Sequence, residues 1–263
     1  MGRVMRLKLR DIALSVVDFG GESLPLLLLH GLAGSALEWH AVAQRLKRSH
    51  RVFALDQRGH GRSDKPKAQY ARGYYVGDVI GVIEGLRLAP VALVGQSMGG
   101  LNAFLAAAAR PDLISKLVLI EASPARNPNA LRDVNAWLSK WPVRFATRES
   151  AIEFFGGDNA LGRGWVRTLE RDGRGLRARF RKDAIGASMA DIAARDYWAE
   201  WSRVRCPTLV LAGECGQLAA VILREMQRRS KRVRIERLPG IGHDAHLEGP
   251  AVVADRINAF LRA

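Results

Sequence analysis

A serine lies between two glycines in the segment GQSMGG, residues 95–100, where a predicted strand meets a predicted helix. The pattern G-x-S-x-G in that setting is typical of a sharp turn that exposes a nucleophilic serine. The N-terminus of the helix that follows also favours negative charge near Ser97. A serine hydroxyl is a weak nucleophile near neutral pH and needs a general base within hydrogen-bond reach. The segment therefore predicts nucleophilic catalysis by Ser97, provided that the fold supplies such a base.

Strand and helix patterns alternate along most of the chain and would position this serine. Continuous apolar segments predict buried strands, among them PLLLLHG (25–31), PVALVGQS (90–97) and CPTLVLAGE (206–214), and segments with helical spacing separate them. The first segment, residues 7–21, alternates and predicts an antiparallel hairpin. The whole order predicts an α/β fold with a mainly parallel sheet and helices on both faces. Right-handed crossovers then gather the C-terminal ends of the parallel strands at one edge, where ligands bind.

The alternation breaks between residues 124 and 203. This segment contains most of the tryptophans of the chain and predicts a helical lid, inserted into a core domain of residues 1–123 and 204–263. Its aromatic side chains either form a small core of the lid or line an apolar substrate pocket. The residues that we expect to contact substrate are Trp137, Trp141, Phe145 and Phe154.

Charge and composition restrict the classes of function. The 263 residues are 48% hydrophobic and 25% charged, which is ordinary for a globular protein. The net charge is +15, but acidic residues interrupt the basic segments, so a solvated basic surface is favoured over a nucleic-acid site. No apolar segment is long enough to cross a membrane, and the N-terminus lacks the apolar core of a secretory signal, so we expect neither membrane insertion nor secretion.

Two cysteines, Cys206 and Cys215, bracket one predicted strand. A strand of that length separates its ends by about 30 Å, which is too far for a disulfide bond. Free thiols suit a reducing compartment, and we expect a cytoplasmic protein.

Four motifs together resemble the α/β-hydrolase superfamily over nearly the whole chain. HGLAGSALEW (30–39) is similar to the oxyanion loop of that family, DQRGHGRSD (56–64) to the turn after its fourth strand, and GQSMGG to its nucleophile turn. LPGIGHDAHLEGP (238–250) is similar to the segment that carries the catalytic histidine. The resemblance implies an eight-stranded sheet with a helical lid, and it implies no metal or organic cofactor.

The resemblance also implies a role for individual residues. Ser97 matches the nucleophile and His243 the general base, while the backbone N–H groups of Leu32 and Met98 match the oxyanion hole. We expect His30 to brace the loop. Other polar residues near the motifs are given structural roles, namely Asp56, Arg58, Asp64 and His246.

The catalytic acid departs from the usual pattern. In most relatives an aspartate follows the seventh strand, but the matching position is Gly216. Some haloalkane dehalogenases and the zearalenone lactonases carry a glutamate after the sixth strand instead, and Glu121 in LVLIEASP (117–124) matches that place. Glu214 could also turn inward, or the enzyme could work with a Ser–His dyad. Glu121 is favoured, because a carboxylate at the end of a buried strand is costly unless it is paired.

The sequence therefore predicts a serine hydrolase that cleaves an ester or lactone of a small, mainly apolar molecule. Hydrolysis of a carbon–carbon or amide bond with the same triad is an alternative. A weakly active ligand-binding sensor on the same scaffold is another. The oligomeric state is left open.

Overall fold

The computed structural model describes residues 2–263, in which one eight-stranded sheet dominates. Its strands are β1 (Arg3–Lys8), β2 (Ala13–Gly20), β3 (Pro25–Leu29), β4 (Arg51–Asp56), β5 (Val91–Gln96), β6 (Ile114–Ile120), β7 (Thr208–Gly213) and β8 (Val233–Leu238). The helices are α1 (His40–Leu46), α2 (Arg72–Gly85), α3 (Met98–Ala109), α4 (Ala130–Ser139), α5 (Arg148–Phe154), α6 (Ala160–Thr168), α7 (Lys182–Ala194), α8 (Trp198–Trp201), α9 (Ala220–Arg229), α10 (Ala245–Glu248) and α11 (Pro250–Arg262).

The order of the strands in the sheet is β1-β2-β4-β3-β5-β6-β7-β8. The first hairpin and the β2–β4 pair are antiparallel, and the pairs from β4 to β8 are parallel. The expected α/β fold with a mainly parallel sheet is confirmed. β6 lies between β5 and β7, so the C-terminal ends of these three strands meet at one edge of the sheet.

An apolar core covers each face of the sheet, because β3, β5 and β7 are apolar on both sides. One core contains side chains of α2, α3 and α8, and the other contains side chains of α1 and α11. Burying side chains on both faces removes several hundred Å² of apolar surface from water per strand. Each Å² of apolar surface buried stabilises the fold by about 25 cal/mol. This packing holds the loops at the strand ends in place.

The lid segment has a further apolar cluster, built mainly from α4 to α7 and from a short hairpin, to which Ala33 and Leu247 from outside the lid also belong. The hairpin pairs Glu170–Arg171 with Leu176–Arg177, so the segment is not purely helical as expected. Tyr197 and Trp201 belong to the core that contains side chains of α2, α3 and α8, and not to the lid cluster. The boundary of the lid at residues 124–203 stays a prediction.

Among the described helices, none combines the length and the apolar character that a membrane crossing requires. Cys206 is buried, Cys215 is exposed, and both are free thiols.

Candidate active site

Ser97 lies at the tip of the turn between β5 and α3. Its backbone has φ +49° and ψ −116°, a conformation that a residue with a side chain adopts at a cost of order 1–3 kcal/mol. Its N–H donates to the carbonyl of Ile120 at 2.9 Å, and its carbonyl accepts from Leu101 at 3.0 Å. These bonds hold the strained turn, which points the serine away from the sheet.

The glycines on either side allow α3 to approach the sheet closely. A Cβ at Gly95 would overlap the backbone of Gly99, and a Cβ at Gly99 would overlap the carbonyls of Leu29 and His30. Larger residues at these two positions would push the helix away from the strand. The G-x-S-x-G pattern is thus explained by packing at this turn.

His243 and Glu121 lie side by side near Ser97. Nδ1 of His243 is 3.3 Å from Oε2 of Glu121. The side chain of His243 is 28% exposed, and that of Glu121 is fully buried. A proton on Nδ1 would bond to the carboxylate and leave Nε2 free to accept a proton from a nucleophile. Both His243 and Ser97 line the same cavity.

Two backbone groups compensate for the burial of the Glu121 carboxylate. Oε1 accepts the N–H of Gly213 at 2.8 Å, and Oε2 accepts the N–H of Gln217 at 2.6 Å. Glu121 also has a positive φ of +50°, like Ser97. The left-handed turn and the two amide donors fix the carboxylate next to the histidine.

Gly216 leaves the space that this carboxylate occupies. A Cβ at Gly216 would overlap all three atoms of the Glu121 carboxyl group. An acid after β7 and an acid after β6 therefore compete for one place beside His243. This explains why the position that matches the usual aspartate is a glycine here.

Two other carboxylates near the site have different partners. Glu214 is exposed, and its Oε2 accepts the N–H of Gly240 at 2.9 Å. Asp244 accepts the indole N–H of Trp165 at 3.0 Å, and burial raises the pKa of its carboxyl group. Neither of them is hydrogen-bonded to the ring of His243, in contrast to Glu121.

The backbone N–H groups of Leu32 and Met98 are available to a ligand. Met98 is the first residue of α3, where helix N–H groups have no intrahelical acceptor. Leu32 lies in the loop after β3, and both residues line the cavity. Nδ1 of the buried His30 lies 2.7 Å from the carbonyl of Gly31, and Nε2 accepts the N–H of Gln57, so His30 braces the loop.

The residues of the turn after β4 make structural contacts. Asp56 accepts two backbone N–H groups, at 2.7 and 2.9 Å. Arg58 donates twice to Asp78 at 2.7 Å, and both side chains are buried. Asp64 accepts a backbone N–H of the first hairpin at 2.9 Å. These bonds connect the turn to neighbouring segments of the fold. Asp56, Arg58 and Asp64 do not line the cavity.

The cavity above Ser97 has a volume of about 460 Å³. Most of its apolar wall comes from α4, α6 and α7 of the lid segment. The residues that line it are Gly31, Leu32, Glu38, Gln96, Ser97, Met98, Asn127, Ala130, Asp133, Val134, Trp137, Trp165, Met189, Ile192, Gln217, His243, Asp244 and His246. A space of this size suits a small molecule.

Only one of the four aromatic residues expected to contact substrate lines this cavity, namely Trp137. Trp141 and Phe145 are buried in the core of the lid, where their rings contact other aromatic rings. Phe154 is 40% exposed and lines a smaller, adjoining cavity that shares Trp137, Trp165 and Asp244 with the first. The expectation for these three differs from the structure, because the lid needs most of its large rings for its own packing.

We expect Trp141→Ala and Trp137→Ala to have different effects. Trp141→Ala leaves a void in the lid core and should lower the free energy of unfolding by about 3–5 kcal/mol. Trp137→Ala removes a half-buried ring from the cavity wall and should mainly raise KM. Thermal unfolding and steady-state kinetics of both variants check this. Equal melting temperatures for the two variants would contradict the assignment of Trp141 to the lid core.

Sequence reasoning missed several polar groups of the site. Gln96 donates from Nε2 to the carbonyl of His243 at 3.0 Å and so connects the nucleophile turn to the histidine loop. The N–H of Gln217 holds Glu121. Glu38 pairs in the cavity wall with His246, for which the sequence predicted a structural role without a partner. Gln96 lies inside the recognised motif GQSMGG, which was the one signal that could have found it.

Comparisons with known proteins agree with this architecture. A sequence model described as the alpha/beta hydrolase fold matches residues 25–250. The 2-(acetamidomethylene)succinate hydrolase of Mesorhizobium japonicum is 28% identical over 271 residues, which cover 98% of this chain and 95% of that protein. A putative 2-succinyl-6-hydroxy-2,4-cyclohexadiene-1-carboxylate synthase of Bacillus subtilis is 29% identical, with 94% of each chain covered.

Solved structures show the same similarity. The crystal structure of E-2-(acetamidomethylene)succinate hydrolase superimposes with a TM-score of 0.91 at 26% identity and covers 100% of both chains. A marine microorganism esterase has a TM-score of 0.77 at 27% identity, with 94% of this chain and 98% of that chain covered. Proteins with this architecture thus include hydrolases with different substrates.

Proposed function

Because this chain belongs to the α/β-hydrolase family, we propose that it is a serine hydrolase with the triad Ser97, His243 and Glu121. The observation that carries the proposal is the contact of 3.3 Å between His243 and the buried Glu121, in the wall of the cavity that contains Ser97. A carboxylate at this place orients the imidazole and stabilises the imidazolium that forms during the reaction. The bond cleaved is an ester or a lactone.

The reaction follows from the arrangement of these groups. Oγ of Ser97 attacks the carbonyl carbon while Nε2 of His243 takes the hydroxyl proton. The N–H groups of Leu32 and Met98 bind the oxyanion of the tetrahedral intermediate. His243 then gives its proton to the leaving alcohol, and the acyl group stays on Ser97. Water, activated by the same histidine, releases the acid and restores the serine.

Hydrolysis of p-nitrophenyl butyrate tests this proposal. Ser97→Ala should lower kcat by about 10³-fold or more, since the nucleophile is lost. Ser202→Ala, which alters an exposed serine outside the cavity, is the matched control and should keep wild-type activity. A wild type that is no faster than Ser97→Ala would refute esterase activity. Labelling of Ser97 without turnover would favour a sensor.

The charges of the cavity support a neutral substrate. Among the described residues that line it, Glu38, Asp133 and Asp244 are acidic, and none is a lysine or an arginine. Of the lid arginines, Arg132 pairs with Asp133 of this wall, and Arg144 pairs with Asp172 outside it. Although the net charge is +15, charges beyond the Debye length of about 8 Å are screened at physiological salt. The wall therefore offers no lysine or arginine to an anionic substrate, and we propose a small, mainly apolar substrate.

We expect p-nitrophenyl butyrate to be hydrolysed with a kcat/KM at least about tenfold above that of mono-p-nitrophenyl succinate. Repulsion between a substrate carboxylate and the acidic wall needs to reach only about 1.4 kcal/mol for this ratio. Measuring kcat/KM for both esters at two salt concentrations checks the electrostatic origin of the preference, because salt should reduce the ratio of the two kcat/KM values. A preference for the succinate ester would overturn the neutral-substrate proposal.

Amide hydrolysis is a second candidate, supported by the similarity to 2-(acetamidomethylene)succinate hydrolase over the whole chain. The same triad can expel an amine if His243 protonates it. Comparing butyryl p-nitroanilide with the butyrate ester distinguishes the two. A kcat/KM for the anilide equal to that for the ester would favour the amide candidate.

A further inference from the structure

Glu38 and His246 form a buried pair in the cavity wall that the reaction described above does not use. Nε2 of His246 lies 2.9 Å from Oε1 of Glu38. The two side chains, of His246 and Glu38, are 1% and 2% exposed, and both residues line the cavity. Because a carboxylate can only accept hydrogen bonds, Nε2 of His246 carries the proton that joins the pair.

The pair connects two segments on which the reaction depends. Glu38 lies in the short 3₁₀ helix Ala36–Trp39, directly after the loop that contains Leu32. His246 lies in α10, three residues after His243. The contact therefore ties the oxyanion loop to the element that follows the catalytic histidine.

Glu38 also holds the oxyanion loop directly. Its Oε1 accepts the N–H of Gly31 at 3.1 Å, and Gly31 immediately precedes Leu32. A Cβ at Gly34 would overlap the Glu38 carboxylate, so the loop is wrapped closely around it. The direction of the Leu32 N–H depends on the path of this loop.

His246 is fixed in turn by its surroundings. Its ring packs against the indole of Trp39, with ring centroids 4.6 Å apart. Without His246, Glu38 would be a buried carboxylate that lacks its side-chain partner, and a negative charge beside the oxyanion hole would oppose the charge that develops there. The pair therefore both shapes the loop and limits this repulsion.

We propose that Glu38 and His246 are positioning residues for the oxyanion hole: Glu38 sets the direction of the Leu32 N–H, and His246 holds Glu38. This inference rests on the proposed function. It differs from a role in stability alone, because it predicts an effect on the transition state.

The test compares wild type, Glu38→Ala, Glu38→Gln and His246→Leu on p-nitrophenyl butyrate. Removing one oxyanion donor costs about 10²–10³ in rate, so a misdirected donor in Glu38→Ala should lower kcat by about 10–100-fold, with KM within about threefold. Glu38→Gln keeps an acceptor for Gly31 and should stay within about fivefold of wild type. His246→Leu should lower kcat by about tenfold.

The control is His50→Ala, which removes a buried histidine that bonds to Asn258 away from the cavity. A second readout is inhibition by a trifluoromethyl ketone, whose adduct places an oxyanion in the hole, against the corresponding methyl ketone. The ratio of the two inhibition constants should fall in Glu38→Ala and His246→Leu and stay constant in His50→Ala. A role in stability alone would lower the melting temperature without changing this ratio.

The outcomes separate this inference from the proposed function. Two outcomes would overturn the positioning role alone. In the first, turnover depends on Ser97 but kcat is unchanged in Glu38→Ala. In the second, Glu38→Gln is as slow as Glu38→Ala. If Glu38→Ala fails to fold, an unchanged kcat and inhibitor ratio in His246→Leu would overturn it. A wild type no faster than Ser97→Ala would overturn both.

Discussion

Replacing Glu121 by Gln should lower kcat by about 10³–10⁴-fold, while Glu214→Gln should leave it unchanged. The reason is that Glu121 lies 3.3 Å from Nδ1 of His243, whereas Glu214 is exposed and bonded to the N–H of Gly240. An amide in place of the carboxylate can no longer stabilise the imidazolium, and it favours the wrong tautomer of the ring. KM should change little, since Glu121 is buried behind the histidine and does not line the cavity.

Glu214→Gln is a matched control, because it makes the same chemical change in the turn after the neighbouring strand. Steady-state kinetics on p-nitrophenyl butyrate and thermal unfolding of both variants decide between the candidate acids. If Glu121→Gln keeps its activity and Glu214→Gln loses it, the acid follows β7. If both keep wild-type activity, the enzyme works with a dyad.

A place for Glu121 beside His243 could be expected from the sequence because its motifs resemble the α/β-hydrolase superfamily, in which some members carry a glutamate after the sixth strand. The resemblance implies that the strands before Glu121 and Glu214 are neighbours whose ends meet at one edge, as those of β6 and β7 do. The sequence favoured Glu121 over Glu214, but it did not show the geometry of either acid, because that depends on the turn of the backbone at each strand end. The positive φ of Glu121 and the amide donors of Gly213 and Gln217 are properties of the folded chain.

The lid was predicted less well than the core. A high aromatic content indicates that rings must be buried, but it does not show which face of a short helix points to the cavity. The structure directs Trp137 to the cavity and buries Trp141, about one helical turn further along the chain, in the lid core.

Contacts between segments that are distant along the chain could not be predicted from the sequence either. Glu38 and His246 are 208 residues apart along the chain, and each alone looks like an ordinary polar residue within a motif. Their pairing depends on the way in which α10 packs against the 3₁₀ helix after β3. Roles of this kind become visible only when burial and distance are known.

Removing the carboxylate after β6 should abolish most of the activity, and adding a carboxylate after β7 should restore part of it. Glu121→Gly suits the positive φ at this position but removes the carboxylate, so kcat should fall by about 10³–10⁴-fold. Adding Gly216→Asp to that variant places a new carboxylate where the carboxyl group of Glu121 was, because a Cβ at Gly216 meets that group directly. We expect the double variant to recover at least about tenfold in kcat over Glu121→Gly.

Two further variants make this test strict. Gly216→Asn combined with Glu121→Gly adds a side chain of the same size without the charge, and it should recover nothing. Gly216→Asp in the wild type forces two carboxylates into one place, and it should lower both kcat and the melting temperature. If this single variant is as active and as stable as wild type, the two acids do not share one place. If Gly216→Asp rescues the Glu121→Gly variant no better than Gly216→Asn does, the end of β7 cannot hold the acid in this chain, and Gly216 has a purely steric role beside Glu121.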